Sequence, residues 1–303
     1  MTWSSVKDCV LAAASLACLL LVSSFARPAP AAQTTEVIDD DGRVIRLSQP
    51  AQRIISLAPS MTELLFSLGA GDRVLGVMAF SDYPPEASQL PVVGQFDMLD
   101  MERIIALQPD LIVSWRTGNP RNSIRRLESL GLTVYVAEPV TLASIGSQLD
   151  RLGTLTGQQD IAQQLREDFN QQLDAITREN SLKPEVSVFY QVWDAPLISV
   201  GGPELINDMI ETCGGRNIFA ELPVGPAVNL EDVLARDPQA IIVSGSSDDA
   251  SRWHEDWRSW SHLEAVSKGH LYNIPPDLVQ RHSLRALEGL QQMCTTLDRV
   301  RDS

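Results

Sequence analysis

Met101-Glu-Arg-Ile-Ile-Ala-Leu-Gln-Pro-Asp-Leu-Ile-Val-Ser-Trp115 and Leu230-Glu-Asp-Val-Leu-Ala-Arg-Asp-Pro-Gln-Ala-Ile-Ile-Val-Ser244 repeat one pattern. Glu102 matches Glu231, Ala106 matches Ala235 and Pro109 matches Pro238. Each copy reads as a short helix stopped by proline and followed by an unbroken apolar strand, Leu111–Ser114 or Ala240–Ser244. An apolar run without alternation suits a strand covered on both faces of a parallel sheet. One unit appearing twice implies two related lobes.

Working outward, Arg53–Leu57 reads as the first strand, and Ser60-Met-Thr-Glu63 reads as a capping box opening a helix that Gly69 ends. Val74–Val77 and Thr133–Val136 add strands at the βαβ spacing. Val186–Val192 and His270–Ile274 do the same for the second lobe. Between the lobes, Thr141–Leu182 contains no proline and carries a helical stripe at Leu165, Phe169, Leu173 and Ile176, broken only by Gly146, Gly153 and Gly157. It reads as one long helix, or two nearly continuous ones, bridging the lobes, and a helical bridge predicts modest closure. The expected fold class is α/β: two Rossmann-like lobes with parallel sheets, joined by a long backbone helix, with a ligand cleft between them. The expected segments are 1–31, 32–52, 53–140, 141–182 and 183–303, of which 32–52 is an extended or hairpin leader.

Lys7, the uncharged run Val10–Phe25 and Ala29-Pro30-Ala31 make a secretory signal peptide cleaved near Ala31, which implies export; the resemblance given below makes the expected compartment the periplasm. A membrane anchor is the alternative, but the run is short for a bilayer span. No later segment is apolar for long enough to cross a membrane. Cys18 suits a lipid anchor poorly, because Ser15 stands where such a signal wants leucine. Cys9 and Cys18 leave with the signal, so Cys213 and Cys294 remain as a disulfide or as two buried thiols. Without Lys7, Asp8 and Arg27, the 24 basic and 39 acidic residues become 22 and 38, a net charge of −16. Such a chain repels phosphate backbones, which excludes nucleic acid as a partner.

In parallel α/β sheets, ligands bind beyond the C-terminal strand ends. Aromatics make up only 6% of the chain, yet Phe80, Tyr83, Phe96, Trp115 and Trp193 all follow strands. Aromatic faces with a few polar tips suit a large, flat, partly apolar ligand. Asp97, Arg116, Asp277 and Arg281 complete the expected lining.

Ser81-Asp-Tyr-Pro-Pro85, Leu107–Asn119 and Cys213-Gly-Gly-Arg-Asn-Ile-Phe219 resemble the periplasmic cobalamin-binding proteins of bacterial ABC importers, within the helical-backbone class of substrate-binding proteins. The likeness runs from about Arg53 to Leu297. The Pro-Asp-Leu-Ile-Val strand is general to that class, whereas Ser-Asp-Tyr-Pro-Pro and Trp-Arg-x-Gly-Asn are more particular to its corrinoid branch. The resemblance implies that Phe80, Phe96 and Trp115 face the corrin and that Asp277–Arg281 touches its amides. It also implies that Cys213 pairs with Cys294, and that Glu102 and Glu231 dock onto arginines of a two-fold membrane permease. Val192 and Gly225 depart from the pattern, standing where aromatics are expected. An acid in a first helical turn also offsets the helix dipole, so Glu102 and Glu231 have a structural reading too.

The implied protein is a monomeric, non-enzymatic carrier with no cofactor of its own, whose cargo is cobalamin or a related corrinoid. The same fold with haem or a ferric siderophore is the nearest alternative. All four histidines, His254, His262, His270 and His282, lie in the second lobe, which argues against a bare metal ion caged by both lobes. An anionic siderophore would want converging cations, of which only Arg116, Arg121 and Arg281 are candidates. An exported hydrolase is the alternative from another class, but no Gly-x-Ser-x-Gly, His-Glu-x-x-His or GxGxxG spacing occurs.

Overall fold

The computed structural model describes residues 34–95 and 98–303. The expected signal peptide with Cys9, Cys18 and Ala31 lies outside the described residues, as do Phe96 and Asp97. Thr34–Ser303 form one compact unit.

The leader is a β-hairpin of β1 (Thr35–Ile38) and β2 (Val44–Leu47), antiparallel with Thr35 opposite Leu47. Its turn is pinned by Asp39, whose carboxylate accepts from the backbone N–H of Asp41 and Arg43 and pairs with the Arg43 guanidinium at 2.6 Å. Asp40 then ties the hairpin to the first lobe, accepting from Glu138 N, from Gln148 and from Arg151.

The first lobe contains β3 (Ile54–Ser56), β4 (Val74–Met78), β5 (Val92–Gln95), β6 (Met98–Leu99), β7 (Leu111–Trp115) and β8 (Val134–Ala137). Helices α1 (Pro59–Ser67), α2 (Met101–Ala106) and α3 (Arg121–Ser129) connect them. The sheet order is β6-β5-β4-β3-β7-β8, parallel except at β5/β6. The order reverses between β3 and β7, so Leu57 and Trp115 open the crevice where such sheets take ligands.

The bridge differs from the expected near-continuous helix. α4 (Leu142–Thr156) ends where Gly157 adopts the left-handed conformation at φ 71°, and α5 (Gln159–Asn180) folds back along it. Arg166 pairs with Asp150 at 2.9 Å, and a side chain at Gly153 would strike the Ala162 methyl, so the two helices run antiparallel in close contact. The glycines read as interruptions therefore end one helix and let its neighbour approach. Only α5, about 33 Å long at 1.5 Å per residue, carries the chain to the second lobe.

The second lobe comprises β9 (Val186–Gln191), β10 (Trp193–Asp194), β11 (Leu197–Ile198), β12 (Gly215–Asn217), β13 (Ala240–Val243) and β14 (Leu271–Asn273). Its helices are α6 (Leu205–Thr212), α7 (Leu230–Arg236), α8 (Ser247–Arg258), α9 (Glu264–Ser267), α10 (Pro276–Val279) and α11 (Ala286–Arg301). The main sheet, β12-β9-β13-β14, is wholly parallel. All six residues of β9 and all four of β13 are buried, as unalternating apolar runs require. One apolar cluster runs from Leu64 and Leu149 through Phe169 to Met209 and Leu290, so the lobes share a core at the bridge.

The capping box is a second correction. α1 starts at Pro59, its N-cap is Ala58, and no side chain caps it. Proline fits the first helical turn because its missing N–H has no partner there in any case. Glu63 is buried and engaged elsewhere, with side chains of the opposite lobe.

Candidate ligand-binding site

A cavity of about 200 Å³ lies where the two sets of strand ends meet. Trp115, Thr117 and Glu138 line it from the first lobe, and Val192, Leu205 and His282 from the second. The Trp-Arg-Thr-Gly-Asn segment explains how the tryptophan is presented. Trp115 N–H donates to Asn119 Oδ1 at 2.7 Å, and Asn119 Nδ2 donates to Leu57 O at 2.9 Å. One asparagine thus ties together both strand ends at the switch point. Gly118 clears the indole, since a Cβ there would come within 2.0 Å of the ring. Trp115 is half-buried and faces His282 across 5.8 Å between ring centroids.

His282 is buried, and that burial pushes its pKa down to about 4. The imidazole is therefore neutral at pH 7. Glu138 accepts from Thr117 N–H at 3.1 Å, and burial raises its carboxyl above the ordinary range. The lining is therefore apolar with a few polar tips, three of them, Glu138, Glu204 and His282, protonatable.

Beside the cavity, a charged network crosses between the lobes. Glu63 of α1 accepts from Ser283 Oγ at 2.5 Å, from Arg281 at 2.9 Å and from Arg285 at 3.2 Å. Arg281 also pairs with Asp82 and Asp277, each at 2.7 Å, and donates to Phe80 O at 3.1 Å. Phe80 sits at φ 68°, which costs a non-glycine residue of order 1–3 kcal/mol, and its ring is 60% exposed. Tyr83 is also exposed and lies under the Arg285 guanidinium, 4.2 Å from its ring centroid. Arg281 thus links Asp277 to the Phe80 backbone, and Arg285 covers Tyr83.

Two expected residues stand apart. Arg116 follows Trp115 but turns away from the cavity, pairing with Asp41 of the leader at 2.7 Å and bonding Asp40 O. Successive residues at a strand end point in opposite directions, and the leader's acids claim the outward one. Trp193 is 53% exposed on β10 and packs edge-on to Trp253 at 6.3 Å, against a second-lobe pocket that Trp253 and Trp257 line. It is not among the residues lining the cavity.

Sequence reasoning missed Glu63, Arg285 and His282. Glu63 carried one signal, an acid among Met61, Thr62, Leu64 and Leu65 on an otherwise apolar helix. His282 adjoins Arg281 in a segment already singled out, but nothing in its spacing shows that it turns into the cavity. Glu102 and Glu231 lie exposed in the first turns of α2 and α7, and neither has an ion-pair partner among the described residues. At α2 the N-cap is Asp100, which accepts from Arg103 N at 2.9 Å. Cys213 and Cys294 form a disulfide, with Cα atoms 4.7 Å apart, joining the end of α6 to α11.

Two α/β lobes on a helical bridge, with paired strand ends around a partly aromatic cleft, define a two-lobed solute-binding protein. The periplasmic binding protein family model matches residues 54–278, and the chain belongs to that family. It is 34% identical over 256 residues to the vitamin B12-binding protein of Vibrio campbellii, covering 83% of this chain and 91% of that one. It is also 34% identical over 248 residues to the vitamin B12-binding protein of Yersinia pestis, covering 82% and 86%. Among solved structures, the periplasmic vitamin B12-binding protein of Vibrio cholerae aligns with a TM-score of 0.79 at 33% identity, covering 84% of this chain and 99% of that one. A periplasmic haem-binding protein of Pseudomonas aeruginosa, covering 81% and 92%, shares the fold at a TM-score of 0.72 and 23% identity.

Proposed function

We propose that this chain captures cobalamin or a related corrinoid between its lobes in the periplasm and delivers it to a membrane ABC importer. Its signal peptide is cleaved near Ala31, and the mature chain acts as a monomer. The observation that carries the reading is the Trp115-lined cavity at the paired strand ends, in a chain similar over most of its length to vitamin B12-binding proteins. A corrin's neutral amides call for carboxylate and hydroxyl partners, and Asp82, Asp277 and Thr117 are exposed or half-buried near the mouth. The corrinoid is cargo, and the chain needs no cofactor of its own.

Glu102 and Glu231 present matched carboxylates, one per lobe, to a two-fold permease. An isologous pair of basic patches can meet both at once. Arg116 is assigned to holding the leader, and Trp193 to the rim of the second lobe. Visible-absorption titration separates the cargo readings: cyanocobalamin is expected to bind one to one and haemin not to saturate. Saturable haemin binding without any cyanocobalamin binding would overturn the proposal.

A further inference from the structure

Of the four histidines, His282 alone lines the inter-lobe cavity. It is buried, yet its ring makes no hydrogen bond within the described protein, whereas His254 and His270 each meet a backbone carbonyl. The buried side-chain polar atoms sealed away without a partner are Asn180 Oδ1, Tyr190 OH and Trp253 Nε1, and the His282 nitrogens are not among them. They therefore keep some contact with solvent, and the residue lines the cavity. A buried imidazole whose polar atoms have no protein partner is a site looking for a ligand.

The ring's surroundings fix its chemistry. Val279 and Gln280 flank it in the cavity wall and Trp115 faces it at 5.8 Å; Glu138 and Glu204 line the same cavity, but neither hydrogen-bonds the ring, and burial is the cause of its lowered pKa. Its depressed pKa keeps a lone pair free at neutral pH. A neutral imidazole beside an indole, in a slot for a flat macrocycle, is suited to coordinating the metal at the macrocycle's centre.

We propose that His282 takes an axial position on the cobalt of a bound corrinoid whose own lower base is absent or displaced. The inference rests on the corrinoid reading above and deepens it. The step is a ligand exchange: a ring nitrogen lone pair forms a Co–N bond, the Co–OH₂ bond breaks, and water leaves with no change in oxidation state. His282 would then favour incomplete corrinoids, which lack the nucleotide that otherwise fills this position.

The test uses the mature protein with diaquacobinamide, which has no lower nucleotide, and with cyanocobalamin, whose two axial positions are filled. His282→Ala and the bulkier His282→Phe are compared with wild type, folding being checked by circular dichroism. The expected result is a shift of the cobinamide visible bands toward those of an imidazole adduct on binding wild type only. Cobinamide affinity should fall roughly tenfold in both variants, a clearly larger loss than the same variants show for cyanocobalamin. Cobinamide that binds with the same spectrum in wild type and variants overturns the inference and leaves the corrinoid reading standing. Failure of wild type to bind either corrinoid overturns both.

Discussion

The two lobes repeat one unit but use it differently at their mouths. In the first lobe, strand ends present Phe80, Tyr83 and Trp115 outward or into the cleft, and a helix buries a carboxylate, Glu63, whose ion-pair partners among the described residues, Arg281 and Arg285, both belong to the other lobe. In the second lobe the larger rings, Trp253 and Trp257, are buried with Phe189 and Phe219 beneath the sheet. What that lobe offers the cleft is Val192, Leu205, His282 and the arginines that answer Glu63. At the outer ends, by contrast, the lobes stay matched, each with an exposed glutamate in a first helical turn. The repeat has been kept where a symmetric partner is expected and has diverged where an asymmetric ligand is expected.

Breaking the matched ends should have the largest effect. The double reversal Glu102→Lys/Glu231→Lys is expected to abolish corrinoid uptake while calorimetric affinity stays unchanged. Each single reversal should impair uptake to a similar degree, and uptake at wild-type rates in the double variant would remove the docking role. Next comes the cross-lobe network. Glu63→Ala leaves Arg281 and Arg285 largely buried without their shared partner, at a cost of about 3 kcal/mol and a fall in Tm of roughly 6–12 °C. A Tm within 2 °C of wild type by calorimetric scanning would show that Asp82 and Asp277 suffice for Arg281.

Cys213→Ala/Cys294→Ala opens a loop of 81 residues. It should cost roughly 2–4 kcal/mol in urea unfolding, confined to the second lobe, with little change in ligand affinity. The effect confined to acid pH concerns His282. Its folded pKa, about 4, lies below the ordinary value of 6.5, so the unfolded chain binds the proton more readily. Stability should therefore be unaffected above pH 6.5 and fall as pH drops toward 4, by up to about 1.4 kcal/mol per unit. His282→Gln should flatten that part of the pH profile; an unchanged slope would assign it to other groups.

The architecture was legible because its signals are local. Unalternating apolar runs such as Ala240–Val243, set off from the preceding helix by Pro238, can be little else than covered parallel strands. The Trp115–Asn119 segment was legible as a strand end, and the structure supplies its mechanism in Gly118 and Asn119. Long-range facts were not legible. The carboxylate of Glu63 looked like half of a capping box because its true partners lie 218 to 222 residues away. The bridge looked continuous because helical periodicity survives a two-residue break, and only the positive φ at Gly157 folds α5 back on α4. Arg116 was grouped with Trp115 by adjacency, although neighbouring residues on a strand point to opposite sides.

The central claim is that a corrinoid lies against Trp115 between the lobes, and calorimetric titration of cyanocobalamin into wild type and Trp115→Ala tests it most directly. Loss of a buried aromatic contact face should weaken binding by at least about tenfold, with one-to-one stoichiometry in wild type and an unchanged melting profile in the variant. Equal affinity in the two proteins would place the ligand elsewhere and contradict the account.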